Sequence, residues 1–123
     1  MDRARILNIA AEWIAHKGRY CAAWQELDDS CRENPTMAFQ IIEEIHHRIA
    51  DGKPINYQLM AILAAGPLEA LIVHNGSTVI DRIESLASHD IEFRKCLTGV
   101  WRSGTPNELF ARVQKAAHPN FKL

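Results

Sequence analysis

Apolar residues recur at helical spacing along nearly the whole chain, and that period leaves little room for a sheet. Tyr20, Ala23, Trp24, Leu27 and Cys31 fall at i, i+3, i+4, i+7 and i+11, one face of an amphipathic helix. Ile6, Ile9, Ala10, Trp13 and Ile14 make the same stripe before it, with Arg5, Asn8 and Glu12 pointing away. Ala38, Ile41, Ile42, Ile45 and Ile49 make a third after it. Asn34-Pro35 opens that helix with a cap residue and a first-turn proline, and Asp51-Gly52 ends it.

The same reading continues to the C-terminus. A fourth helix opens near Pro54 and carries Ile55, Leu59, Ile62 and Leu63, with Tyr57 and Met60 on its other side, so it is covered from two directions. Gly66-Pro67 ends it and starts a short fifth helix with Leu68, Leu71 and Ile72 inward, which Asn75-Gly76 closes. Ser77 caps a sixth, striped by Val79, Ile80, Ile83, Leu86 and Ala87. Asp90 caps a seventh with Phe93, Leu97, Val100 and Trp101 inward, and Gly99 in its last turn marks a close helix crossing. Thr105-Pro106-Asn107-Glu108 reads as a capping box before an eighth helix, whose Leu109, Phe110 and Val113 face inward. Residues 119–123 read as a loose tail.

The expectation is one all-α domain over residues 1–123, a compact irregular bundle of about eight short helices. Stacked HEAT-like helix pairs are the alternative arrangement, although no repeat period supports them. A chain of 123 residues with 47% hydrophobic and 24% charged side chains has the size and composition of a single core-forming domain.

Several functions lack their signatures. The N-terminus carries Glu12 and Trp13 where a secretory signal is apolar and small, and the most apolar stretch, Ile55 to Val73, is interrupted at Gly66-Pro67. Cys21, Cys31 and Cys96 form no C-x-x-C pair, so reduced thiols, no membrane and a cytoplasmic location are expected. No nucleophile elbow, phosphate loop or dinucleotide fingerprint occurs, and no cofactor is expected. Glu43 and His47, four apart on one helix, are half of a tetrahedral metal site, but His47 points to solvent and a solvated, ion-paired face explains them better; no metal is expected. His46 falls at the stripe edge near Phe39. Trp13, Trp24 and Trp101 all read as core.

One ordered string is more distinctive. Gly66-Pro67-Leu68-Glu69 with Leu71, then His74 and Gly76, is followed by Ile80-Asp81-Arg82-Ile83-Glu84, Ala87, Asp90, Phe93-Arg94, Leu97, Gly99-Val100-Trp101 and Arg112-Val113. Over roughly residues 59–114 this resembles an uncharacterised family of small bacterial proteins, a domain of unknown function. Ala70 and Ile91 depart from its pattern, where an acid and a proline are usual. The resemblance implies an α-helical bacterial cytosolic protein and no particular reaction.

Glu69, His74 and Asp81 are the polar motif residues nearest the apolar centre, and an acid–base group there is one reading. The blander one is structural: Glu69 and Asp81 favour the positive ends of their helices, and Arg82 or Arg94 ties helices together.

Charge is distributed unevenly. Residues 24–47 hold Glu26, Asp28, Asp29, Glu33, Glu43 and Glu44 against Arg32 alone, whereas residues from 94 on hold Arg94, Lys95, Arg102, Arg112, Lys115 and Lys122 against Glu108 alone. The total is only −1, so the sequence describes a polarised molecule. It leads to a non-catalytic protein-interaction module, monomer or homodimer, concretely an immunity or antagonist protein. Its acidic face (Glu26, Asp29, Glu33, Glu43, Glu44 and His47) would dock a basic partner such as a toxin or effector. The alternatives are a small enzyme built on Glu69, His74 and Asp81, and a nucleic-acid binder through the basic C-terminal face, ranked lower because its bases are sparse.

Overall fold

A computed structural model describes residues 3–118, so the expectation of a loose tail at 119–123 lies outside the described residues. Those residues are helical, with no strand among them. The helices are α1 (Arg3–Ala15), α2 (Ala22–Glu33), α3 (Pro35–Ala50), α4 (Tyr57–Leu63), α5 (Glu69–His89), α6 (Ile91–Leu97) and α7 (Asn107–Ala117). A π-helical turn, Ala64–Leu68, joins α4 directly to α5.

The stripes read from the sequence form the core. Ile6, Ile9, Ala10 and Trp13 of α1 are buried, as are Ala38, Ile41, Ile42, Ile45 and Ile49 of α3 and Val79, Ile80, Ile83 and Ala87 of α5. Asn34 caps α3 as expected, its Oδ1 accepting the Met37 N–H, and Pro35 is its first residue. Asp90 caps α6 by accepting the Phe93 N–H.

Eight separate helices are not what forms. Tyr57–His89 is a helical stretch of 33 residues that runs through Pro67 without ending and kinks, as the Asn75-Gly76 signal implies, at Asn75. Pro67 cannot donate a hydrogen bond, and its ring crowds the carbonyl four residues back. Widening one turn to the π form relieves that conflict without ending the helix. The Cys31 thiol donates to the Pro67 carbonyl at 3.4 Å. At Asn75 the backbone leaves the helical region (φ −143°, ψ 31°) for one residue and then resumes, so Ser77 lies inside α5 rather than capping a new helix. The apolar composition of this stretch also meets the length criterion for a membrane span; half of its most apolar window is buried within the fold.

The remaining corrections concern ends. α4 opens at Tyr57, a few residues after Pro54, and its cap is Asn56, which accepts the Leu59 N–H. The capping box at Thr105 does not form: α7 begins at Asn107 after Pro106 with no side-chain cap, and Thr105 is fully buried. Tyr20 precedes the first turn of α2 and is exposed, because the periodic count ran through a residue that is not helical. Trp101 is not core but 73% exposed, since α6 ends at Leu97 and the chain has turned before reaching it.

α1, α2 and α3 pack on one another, α5, α6 and α7 do the same, and α2 and α3 lie against α5 to join the groups. Two glycines mark where elements meet. A methyl group on Gly76 would sit 2.5 Å from Leu109 Cδ2 of α7, and one on Gly99 would sit 3.0 Å from Ala64 Cβ at the π turn. The close crossing read at Gly99 is present, although Gly99 follows α6 rather than lying within it.

Candidate functional site

Two long-range hydrogen bonds converge on one carboxylate of the resemblance motif. Glu69, the first residue after the π turn, accepts the Trp101 backbone N–H at 2.9 Å on Oε1 and the Ser103 hydroxyl at 2.7 Å on Oε2. Its helix does not start there, so Glu69 is not a helix-end residue; it clamps the α6–α7 loop. The loop is anchored at each side by a buried residue, Val100 and Thr105, while residues 101–104 between them are exposed. Ser103 (φ 43°) and Gly104 (φ 91°) adopt left-handed conformations that turn the chain back. Arg102 Nη1 donates to Asn107 Oδ1 at 3.0 Å, tying the loop to the start of α7. A tryptophan is thus displayed on a short, fixed segment.

The other acid–base candidates do not join Glu69. His74 is exposed on α5, and Asp81 lies twelve residues beyond Glu69, about 18 Å along a helix at 1.5 Å per residue. Asp81 accepts from Arg112 Nη2 at 2.9 Å, and the same guanidinium donates through Nε to Glu84 at 2.9 Å. These two acids hold the Arg112 pKa above its ordinary value through their hydrogen bonds. An open groove of about 440 Å³ lies elsewhere, between α1, α3 and α4, lined by Ala11, Ile14, Arg48, Ile49, Pro54 and Leu59 among others. Arg82 and Arg94 of the motif each reach a neighbouring helix. The Arg82 guanidinium lies 4.8 Å from the centre of the Phe39 ring, and Arg94 donates to the Ala87 carbonyl at 2.9 Å.

The acidic segment is interleaved with arginines brought by folding. Arg5 pairs with Glu26, Arg32 with Asp28 and Asp29, and Arg3 and Arg48 with Glu44. Hydrogen bonding from Arg48 lowers the Glu44 pKa against a smaller cost of burial. Glu33 and Glu43 are in none of the ion pairs among the described residues. The basic C-terminal half is matched only in part, Lys95 by Glu92 and Arg112 by Asp81 and Glu84, while Arg94, Arg102 and Lys115 are in none of the ion pairs among the described residues. Linear charge segregation does not survive as two unneutralised faces, because α1 and α3 carry the balancing arginines to the acids.

His47 is exposed as expected, but His46 is fully buried rather than at an edge. Its Nε2 lies 3.2 Å from Asp90 Oδ2 and its Nδ1 3.4 Å from Met60 Sδ, and its ring meets Phe93 edge-on. Burial lowers the His46 pKa and outweighs the opposing pull of Asp90. For Asp90, burial alone would raise the pKa, but the Phe93 N–H and the two histidines together bring it below the usual value.

Fold and site together define a small helical protein in which Glu69, Asp81, Arg82 and Arg94 contact other elements and Trp101 is displayed on a clamped loop. The chain belongs to a family of unknown function, DUF6869, whose model matches residues 14–120. That span is wider than the 59–114 read from the motif and takes in α2 and α3 as well. No curated protein and no solved structure matches the chain.

Proposed function

We propose that this chain is a non-catalytic bacterial protein-interaction module of the cytoplasm, and that Trp101 anchors the contact with its partner protein. The observation that carries this is the exposed Trp101 side chain on a loop fixed at its backbone by Glu69. Tryptophan and arginine are the residues over-represented where single side chains dominate an interface, and Arg102 stands next to Trp101. A loop already held in place loses little further freedom on binding, so the apolar area of the indole contributes more of its burial to affinity.

A second contact reading uses helices α2 and α3, as an immunity or antagonist protein would to meet a basic partner. It is supported by the surplus of negative charge at Glu33 and Glu43. It ranks second because Glu26, Asp28, Asp29 and Glu44 already hold guanidiniums. An enzyme centred on Glu69 is disfavoured because both oxygens of that carboxylate are occupied by the loop. A nucleic-acid face is disfavoured by the acids beside Lys95 and Arg112. In shape, the bundle suits the contacts better than a HEAT-type stack, in which each unit meets only its neighbours; α3 here meets α1, α2, α4 and α5.

Quantitative affinity capture from host lysate tests the two contact readings against each other. Trp101→Ala is expected to abolish retention of the partner captured by the wild type, with an unchanged thermal melt, while Glu33→Lys/Glu43→Lys retains it. Equal capture by Trp101→Ala and wild type overturns the loop reading, and loss in the charge-reversed variant alone selects the acidic helices. Sedimentation of the purified protein shows whether the partner is a second copy.

A further inference from the structure

At the junction of α1 and α2, on an element separate from the Trp101 loop, three different metal-ligand types come together. A carboxylate oxygen of Glu12, a ring nitrogen of His16 and the Cys21 sulfur all lie within 4.8 Å of one another. We propose that Glu12, His16 and Cys21 form a zinc site with three protein ligands and a water-filled fourth position. The inference does not depend on the interaction reading above.

The local sequence explains why the groups meet. Glu12 lies in the last turn of α1 and His16 just past its end, where the His16 N–H still bonds the Glu12 carbonyl at 3.0 Å and keeps the two on one face. The chain then reverses through Lys17 (φ 56°) and Gly18 (φ 73°), and brings Cys21 back as the residue that caps α2. This turn is fixed by packing: a methyl group on Gly18 would lie 2.7 Å from Ile62 and 2.9 Å from the buried Trp13 ring. The ligands therefore sit on the ends of two helices joined by a tight reversal, not on a wandering loop.

Ligand chemistry selects the cation. Ligands bound tetrahedrally at about 2.0–2.3 Å stand roughly 3.3–3.8 Å apart, so the observed triangle closes with small side-chain rotations. Thiolate with imidazole disfavours magnesium and calcium, and the mixed nitrogen, sulfur and oxygen set suits Zn²⁺. His16 Nδ1 is 2.9 Å from the Glu12 backbone carbonyl, which can only accept, so Nδ1 carries the proton there. Neutral imidazole then has its lone pair on Nε2, the outer hydrogen bond that orients many zinc-ligating histidines. Of the three thiols, Cys21 alone is reachable. Cys31 and Cys96 are buried, and burial pushes each up to about 12, so they stay protonated.

Binding releases the Cys21 thiol proton and forms a metal–sulfur bond, with no redox change. The full chain is titrated with Co²⁺ and then with Zn²⁺ against a chromophoric chelator, alongside Cys21→Ser and His16→Gln. Cys21 makes no side-chain capping bond and His16 is exposed, so both variants are expected to fold, which their melts verify. The wild type is expected to bind one equivalent, show thiolate-to-cobalt charge transfer, and melt at higher temperature with Zn²⁺. Each variant is expected to lose at least the roughly 10–100-fold in affinity that loss of even an outer-shell partner costs. Absence of the charge-transfer band in wild type, or stoichiometric binding that survives in both folded variants, overturns the site.

Discussion

The Asn75 side-chain amide donates to the Cys31 carbonyl at 2.7 Å and to the Arg32 carbonyl at 3.0 Å. A residue that departs from helical geometry in α5 thereby satisfies the last turn of α2, whose carbonyls have no partner within their own helix. The backbone kink and the cap are one feature. Asn75→Ala removes both bonds and leaves the part-buried Cys31 carbonyl unpaired, the exposed Arg32 carbonyl turning to water, so it is expected to cost about 1–3 kcal/mol. Urea unfolding is the measurement: the midpoint falls with the slope unchanged. An unshifted midpoint would show that water replaces the amide at no cost.

That pair also shows where sequence reading reaches and where it stops. Asn75-Gly76 is locally a turn signal, and nothing nearby in sequence reveals that Asn75 is needed by α2 and Gly76 by α7. The stripes of α1, α3 and the second half of α5 were legible because burial follows a period each segment carries by itself. Ends were less legible. Pro67 reads as a terminator unless the chain can widen a turn, and Thr105 reads as a cap unless packing buries it. At the candidate site, Glu69 and Trp101 both stood out in the motif, yet their pairing spans 32 residues and no local rule supplies it. Trp101 fits the core only if the helical period continues past Leu97, where α6 ends. The acids of α2 and α3 were legible as a linear run with Arg32 inside it, but the other balancing arginines come from α1 and from the far end of α3. Glu12, His16 and Cys21 carry an E-x₃-H-x₄-C spacing that could have been noticed; only the reversal at Gly18 makes it a cluster.

Glu69→Ala tests the clamp directly. Without the carboxylate, the Trp101 N–H and Ser103 hydroxyl lose their acceptors, and the loop keeps its buried ends and the Arg102 hydrogen bonds to Asn107 and Thr105. The Trp101 amide is expected to exchange its hydrogen markedly faster, while amides in the middle of α5 keep their protection, as for local opening. Glu69→Gln should be milder, because its carbonyl oxygen still accepts one of the two bonds. Trp101 exchange unchanged in Glu69→Ala would mean that Val100 and Thr105 fix the loop without Glu69.

Gly18 is a position where a side chain is penalised twice. Its φ of 73° lies in the left-handed region, where a Cβ costs roughly 1–2 kcal/mol. The added methyl would also press on the Trp13 ring, which is buried and cannot swing away. Gly18→Ala is therefore expected to destabilise by about 2–4 kcal/mol, both terms together. Thermal unfolding monitored by circular dichroism reads the effect, and a loss under the left-handed cost alone would mean that α1 and α4 separate easily at this junction.

The buried His46 gives the protein a defined response to acid. Its pKa in the folded state lies below the ordinary 6.5, chiefly through burial, so on acidification the unfolded chain takes up this proton first. Stability from His46 is thus fully present above about 6.5 and declines as pH falls from there toward the folded-state value. Asp90, with its own pKa lowered from 3.8, adds a second loss only at lower pH, as its contact with the Phe93 N–H is given up. Urea midpoints measured from about pH 7.5 down to pH 5 are expected to fall in the wild type. The same series in His46→Leu should be flatter across that window, whatever its starting stability, because the group that titrates there is gone. An equal slope in the two proteins would assign the acid response to groups other than the buried imidazole.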